Sequence, residues 1–151
     1  KNGPLFLGLG YGDGDGHEAL GFGKHMRAAA GFTMGALKFV GQYDMRDDDN
    51  TVSAAAQNGD YDAWMAGVAY TMGAITLKAN YMDGDFDHAA DPQQFNIGAD
   101  YAMSKRTKLY AVYTDGENVT LGGGAGSSDQ IGSGVAGGDV SGLSLGMVHT
   151  F

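Results

Sequence analysis

The sequence predicts an all-β protein, an antiparallel up-and-down meander of about eight strands that forms a transmembrane β-barrel. Three observations carry this. Apolar and polar residues alternate with period two along most of the chain. Tight turns alternate with long polar connections. Aromatic residues recur at matched distances from the tight turns.

The first strand is "PLFLGLGY", with Leu5, Leu7, Leu9 and Tyr11 on one face and Phe6, Gly8 and Gly10 on the other. A hairpin follows. Met26, Ala28, Ala30, Phe32 and Met34 share a parity, Gly35-Ala36 reverses the chain, and Leu37, Phe39, Gly41, Tyr43 and Met45 take up the same face. The phrase "FTMGALKFVGQY" at 32–43 returns as "YTMGAITLKANY" at 70–81. There Trp64, Ala66, Val68, Tyr70 and Met72 precede Gly73-Ala74, and Ile75, Leu77, Ala79 and Tyr81 follow it. A third hairpin sets Phe95, Ile97, Ala99, Tyr101 and Met103 against Leu109, Ala111 and Tyr113 across a short "SKR" turn. The last strand, "LSLGMVHTF", aligns Leu143, Leu145, Met147, His149 and Phe151.

Three connections are tight, at Gly35, Gly73 and Ser104–Arg106, and four are long, at about 12–23, 46–62, 83–92 and 115–140. Neighbouring strands joined this way pair antiparallel. Of 18 acidic residues, only Asp44 and Asp100 fall within the expected strands, so one end of the molecule is expected to be acidic.

The apolar face is expected to look outward. Its opposite carries mostly Gly, Ala, Thr, Asn, Gln, Lys and Arg. Tyr11, Tyr43, Tyr81 and Tyr113 each stand six residues after the strand position nearest a tight turn, and each is expected to end its strand. Phe32, Tyr70, Tyr101 and Phe151 lie near the other end. Two aromatic rings bracketing an aliphatic band form the girdle of a lipid-facing barrel. Six residues rise about 20 Å, which suits an apolar band of about 25 Å once tilt is included. A soluble barrel with tyrosines at strand ends by β-propensity is the competing reading. No run of 18 apolar residues exists for a membrane-spanning helix, but a spanning strand needs only about 9–11 residues.

Composition narrows function. There is no Cys, hence no disulfide and no thiolate metal site. A net charge of −9 and no Lys/Arg cluster argue against nucleic acid as a partner. Residues 1–15 carry no apolar secretory core and the chain opens with Lys, so a processed or truncated chain is expected. "GLGYGDGDG" has no GxGxxG register and no helix after it, which removes the nucleotide-binding reading. The glycines from Gly126 to Gly138 mark a low-complexity last connection. None of His17, His25, His88 and His149 has a partner readable from sequence, so no catalytic constellation is expected.

The candidate functional residues are those on the polar face: Arg27, Lys38, Asp44, Lys78, Asn80, Asn96, Asp100 and Lys108, as pore lining. The basic members form a wall stripe that favours anions, whereas acidic connections at a mouth favour cations, so ion preference stays open. Asp13 and Asp15 in "DGDGDGHE" and the run "RDDDN" at 46–50 suit divalent cations, without a complete calcium-loop pattern. No cofactor is expected beyond nonspecific divalent cations there.

The segments "NIGADYAMSKRTKLYAVYT" at 96–114 and "GLSLGMVHTF" at 142–151 make the chain resemble the C-terminal half of Gram-negative general porins, especially the betaproteobacterial type. The repeated "AYTMGAITLKANY" hairpin fits the same rhythm. That resemblance implies an outer-membrane barrel of about 16 strands, usually homotrimeric, passing small hydrophilic solutes and ions. It implies that Leu143, Leu145, Met147, His149 and Phe151 form the signal read by the outer-membrane assembly machinery. It also implies contact with outer-membrane lipid and, through divalent ions, lipopolysaccharide. Only about half the strands are present, so residues 1–151 are expected to be a single domain that is one half of such a barrel, without its constriction loop. The alternative is a small closed barrel serving as a structural anchor or adhesin through its acidic connections.

Overall fold

The structure, a computed structural model, describes residues 4–13, 24–47, 60–87, 91–118 and 138–151. Eight strands follow in chain order: β1 (Leu5–Gly12), β2 (Lys24–Met34), β3 (Leu37–Asp47), β4 (Tyr61–Met72), β5 (Ile75–Phe86), β6 (Gln93–Ala102), β7 (Thr107–Glu117) and β8 (Val140–His149). They form one sheet in the order β1 to β8, each pair antiparallel. Among the described residues β1 and β8 do not pair, so the sheet is open.

Turn chemistry follows the expectation. Gly35 and Gly73 both have φ of +59°, and the alanine after each stays at negative φ. Positive φ at only the first of two turn residues is the type II′ pattern, whose twist matches that of the flanking strands. The third turn is built differently. The backbone N–H groups of Met103 and Ser104 donate to the Thr107 carbonyl at 3.0 and 3.1 Å. Ser104 Oγ accepts from the N–H groups of Arg106 and Thr107.

The strands run further than expected. The tyrosines do not end them: β3 continues four residues past Tyr43, β5 five past Tyr81 and β7 four past Tyr113. Asp47, Asp62, Asp83, Asp85, Asp115 and Glu117, expected in connections, therefore lie on strand ends. Alternation continues there in polar residues, which hydropathy alone reads as loop. Asp15, Glu18, His17, His88, residues 48–50 and most of the glycine-rich last connection lie outside the described residues.

Register explains the tyrosine spacing. Tyr11 pairs with Met26 and Met26 with Met45, so Tyr43 stands two residues nearer the tight turn than the row through Tyr11. Tyr43, Trp64 and Asp83 form the next row, and Tyr81 is again two residues nearer the turn. Tyr81, Phe95 and Asp115 repeat the step to Tyr113. Six residues of about 3.3 Å over six strand spacings of about 4.8 Å incline this line by about 35° to the rows. Barrel strands tilt by about that angle, which levels the four tyrosines at one depth.

Among the described residues the sheet has no apolar core on either side. Among the described residues, Met82 is the one large apolar side chain that is buried. Trp64, Leu77 and Ile97, each on a strand paired on both sides, are still 43–45% exposed. A sheet whose apolar face is covered by nothing of its own needs an apolar surrounding.

Candidate channel wall

All eight residues anticipated as pore lining share the polar face. Their rows are set by pairing: Arg27 opposite Asp44, Lys38 and Lys78 on either side of Ala69, and Asn80 opposite Asn96. Three contact groups organise them.

The first centres on Asp44, 7% exposed. Arg27 Nε donates to Asp44 Oδ2 at 2.6 Å, and its Nη2 reaches the same oxygen. His25 Nε2 meets Oδ1. This partnership was not legible from sequence, because it depends on which strands pair and in what register. Next to it Tyr61 stacks on Phe86, ring centroids 5.0 Å apart. Its geometry is that of a braced carboxylate.

The second group centres on Asp100, whose Oδ2 accepts from Lys78 Nζ at 2.6 Å and Lys108 Nζ at 3.1 Å. The third is an amide ladder. Gln94 Nε2 donates to Asn96 Oδ1, Asn96 Nδ2 to Asn80 Oδ1 at 2.7 Å, and Thr114 Oγ1 to Asn96 Oδ1. Lys38 is exposed and makes no ion pair among the described residues.

The strand-end acids have the opposite parity. Asp83 shares a row with Trp64, and Asp115 with Phe95. The i, i+2 spacing lets Tyr11, Tyr81 and Tyr113 donate to Asp13, Asp83 and Asp115 at 3.0, 3.3 and 3.1 Å. These acids lie on the apolar-side parity beyond the tyrosines and do not oppose the basic residues of the polar face. No group of three or more His, Cys, Asp or Glu able to hold a metal ion occurs among the described residues.

The register sets Tyr11, Tyr43, Tyr81 and Tyr113 along one line and Phe32, Tyr70 and Tyr101 along another. Trp64 and Phe95 join the first, since Trp64 pairs with Tyr43 and lies 5.5 Å from the Tyr81 ring, and Phe95 pairs with Tyr81. Their parity was readable, but their depth needed the register. The second line steps from Phe32 to Tyr70 to Tyr101 by the same two residues, and its next position is His149. Phe151 lies beyond β8, fully exposed, its ring 4.8 Å from that of His149. Leu143, Leu145 and Met147 pair with Tyr113, Ala111 and Leu109. His149 Nδ1 is 2.8 Å from Thr107 Oγ1.

A two-faced meander with an uncovered apolar side matches a known family. The family model described as Gram-negative porin covers residues 1–121. The chain belongs to the Gram-negative porins. Among solved structures, the anion-selective porin from Comamonas acidovorans matches with a TM-score of 0.73 at 22% identity, over 100% of this chain and 46% of that one. At that identity the likeness speaks for the fold alone. The chain thus spans about half the length of the solved porin it matches. No curated protein matches the sequence. As a Gram-negative porin with an all-β membrane fold, the chain resides in the outer membrane.

Proposed function

We propose that residues 1–151 form one half, the C-terminal one, of the wall of a water-filled channel for passive diffusion of small hydrophilic solutes and ions. The observation that carries this is the division of one open sheet into an exposed apolar face and a face that carries the charged and amide side chains of the strands' inner rows. The channel performs no chemistry; solutes pass by size, and wall charge biases ions. On the polar face Arg27 is offset by Asp44, and one of Lys78 and Lys108 by Asp100, while Lys38 has no acidic partner among the described residues. We read this wall as favouring anions, in keeping with the selectivity named for the Comamonas acidovorans porin.

Several parts of the reading follow the family: a homotrimer, contact with lipopolysaccharide through divalent cations, and Leu143, Leu145, Met147, His149 and Phe151 as the assembly signal. The aromatic lines serve as interface girdles. The rival, a small closed barrel acting as anchor or adhesin, requires β1 to pair with β8, and the open sheet speaks against it.

Reconstitution of the native polypeptide containing this chain into planar bilayers tests the proposal. Stepwise, ohmic conductance with a zero-current potential displaced toward that of chloride is expected. A protein that inserts without conducting would favour the anchor.

A further inference from the structure

His25 stands on the polar face at the end away from the tight turns, in the row Gly12, His25, Arg46 and Tyr61. On β1 its neighbours are bare. Gly10 lies opposite Arg27 and Gly12 opposite His25, and a Cβ at either glycine would meet nothing within 4 Å. The imidazole is therefore open to water on its β1 side, and its side chain is 41% exposed. The carboxylate that it touches is not: Asp44 is buried, with Oδ1 against His25 and Oδ2 against Arg27.

This contact fixes where a proton can go. An ionised carboxylate only accepts, so His25 Nε2 carries the hydrogen and Nδ1 keeps the free lone pair. Nδ1 has no partner among the described residues. A proton can add there without breaking the Asp44 contact. The charged and titratable groups facing the ring are Arg27 on its own strand, Asp44 and Arg46 on β3, and Tyr61 on β4. On this face the described residues of β1 contribute none, and Lys24 and Asp47 oppose each other on the other face. Guanidinium groups stay charged. Carboxylates and phenols ordinarily titrate outside about pH 5–8, and an imidazole titrates within it. His25 is thus the member of this cluster whose charge changes in that window.

We propose that His25 is a proton-binding switch at this end of the channel wall, which strengthens the preference for anions as pH falls. Protonation at Nδ1 adds one positive charge to a wall whose shape stays the same. Asp44 holds the ring in place and favours the added charge, while Arg27 and Arg46 oppose it. The switch rests on the channel reading and adds regulation by pH to it.

The test uses the native polypeptide containing this chain in planar bilayers across a low-salt KCl gradient, where screening is weak. The zero-current potential is read from about pH 8 down to about pH 5, the range of imidazole titration. The chloride-to-potassium permeability ratio is expected to rise about twofold, the weight of one unit charge at about 10 Å in water. His25→Gln should keep the conductance and lose the rise. Asp44→Asn removes the charge that favours the imidazolium and should move the rise to lower pH. Arg27→Gln removes one that opposes it and should move the rise to higher pH. A ratio flat with pH in the parent, a rise that persists in His25→Gln, or a rise that neither neighbour moves would overturn the switch while leaving the channel intact. Absence of any conductance in the parent would overturn the channel reading and the switch with it.

Discussion

Tyr110 on β7 lies across its register partner Gly146 on β8 so closely that a Cβ on Gly146 would stand 2.4 Å from the phenol ring. The glycine is there for space. Gly146→Ala must push the ring off the wall, and overpacking of this kind costs about 1–3 kcal/mol. Urea unfolding in lipid vesicles should show that loss in the parent and little of it in a Tyr110→Ala background. An equal loss in both backgrounds would rule out the steric origin.

Asn96 and Ile97 are adjacent in sequence and opposite in parity, one in the amide ladder and the other 45% exposed on the apolar face. Arginine should therefore be tolerated at 96 and not at 97. Ile97→Arg is expected to cost about 2–4 kcal/mol in a bilayer, and Asn96→Arg under about 1 kcal/mol, both read from the same unfolding curves. A reversed order would mean that the faces are assigned the wrong way round.

Asp100 pairs with two lysines at once and offsets the charge of one of them. Asp100→Asn adds one positive charge to the wall, so the zero-current potential across a KCl gradient should move further toward that of chloride. Lys108→Gln should move it back. Stability should hardly change, because both lysine side chains are nearly half exposed and such pairs are worth about 0–1 kcal/mol.

Asp44 is a different case, being buried and held from two sides by His25 and Arg27. Hydrogen bonds to a charged group contribute about 1.5–3 kcal/mol. Asp44→Ala should lower the unfolding free energy by that order. Arg27→Lys keeps the charge but loses the planar fork that presents Nε and Nη2 together, and should recover less than half of the difference. Full recovery by lysine would show that charge alone, without geometry, holds the carboxylate.

Period-two alternation sufficed to read every strand and the face of every anticipated lining residue, since parity is local. Length was misread where it became polar: Asp83 and Asp85 continue β5 with the same alternation, but acidic residues past a tyrosine look like a connection. Contacts between strands were out of reach. His25 and Asp44 are 19 positions apart, and only the register of β2 on β3 brings them together. The depth of Trp64 and the displacement of Phe151 past the aromatic line depend on the slope of the register, which no single strand contains.

That slope has a consequence for how such a wall can change in evolution. The hairpins centred on Gly35 and Gly73 each carry an aromatic near either end. From each hairpin to the next, the same two-residue offset recurs. Vertical position is thus encoded hairpin by hairpin. Duplication or loss of one whole hairpin leaves every other at its proper height, whereas gain or loss of a single strand inverts the direction of all that follow. Circumference could change in steps of two strands without disturbing height, and the repeated phrase at 32–43 and 70–81 marks two such units.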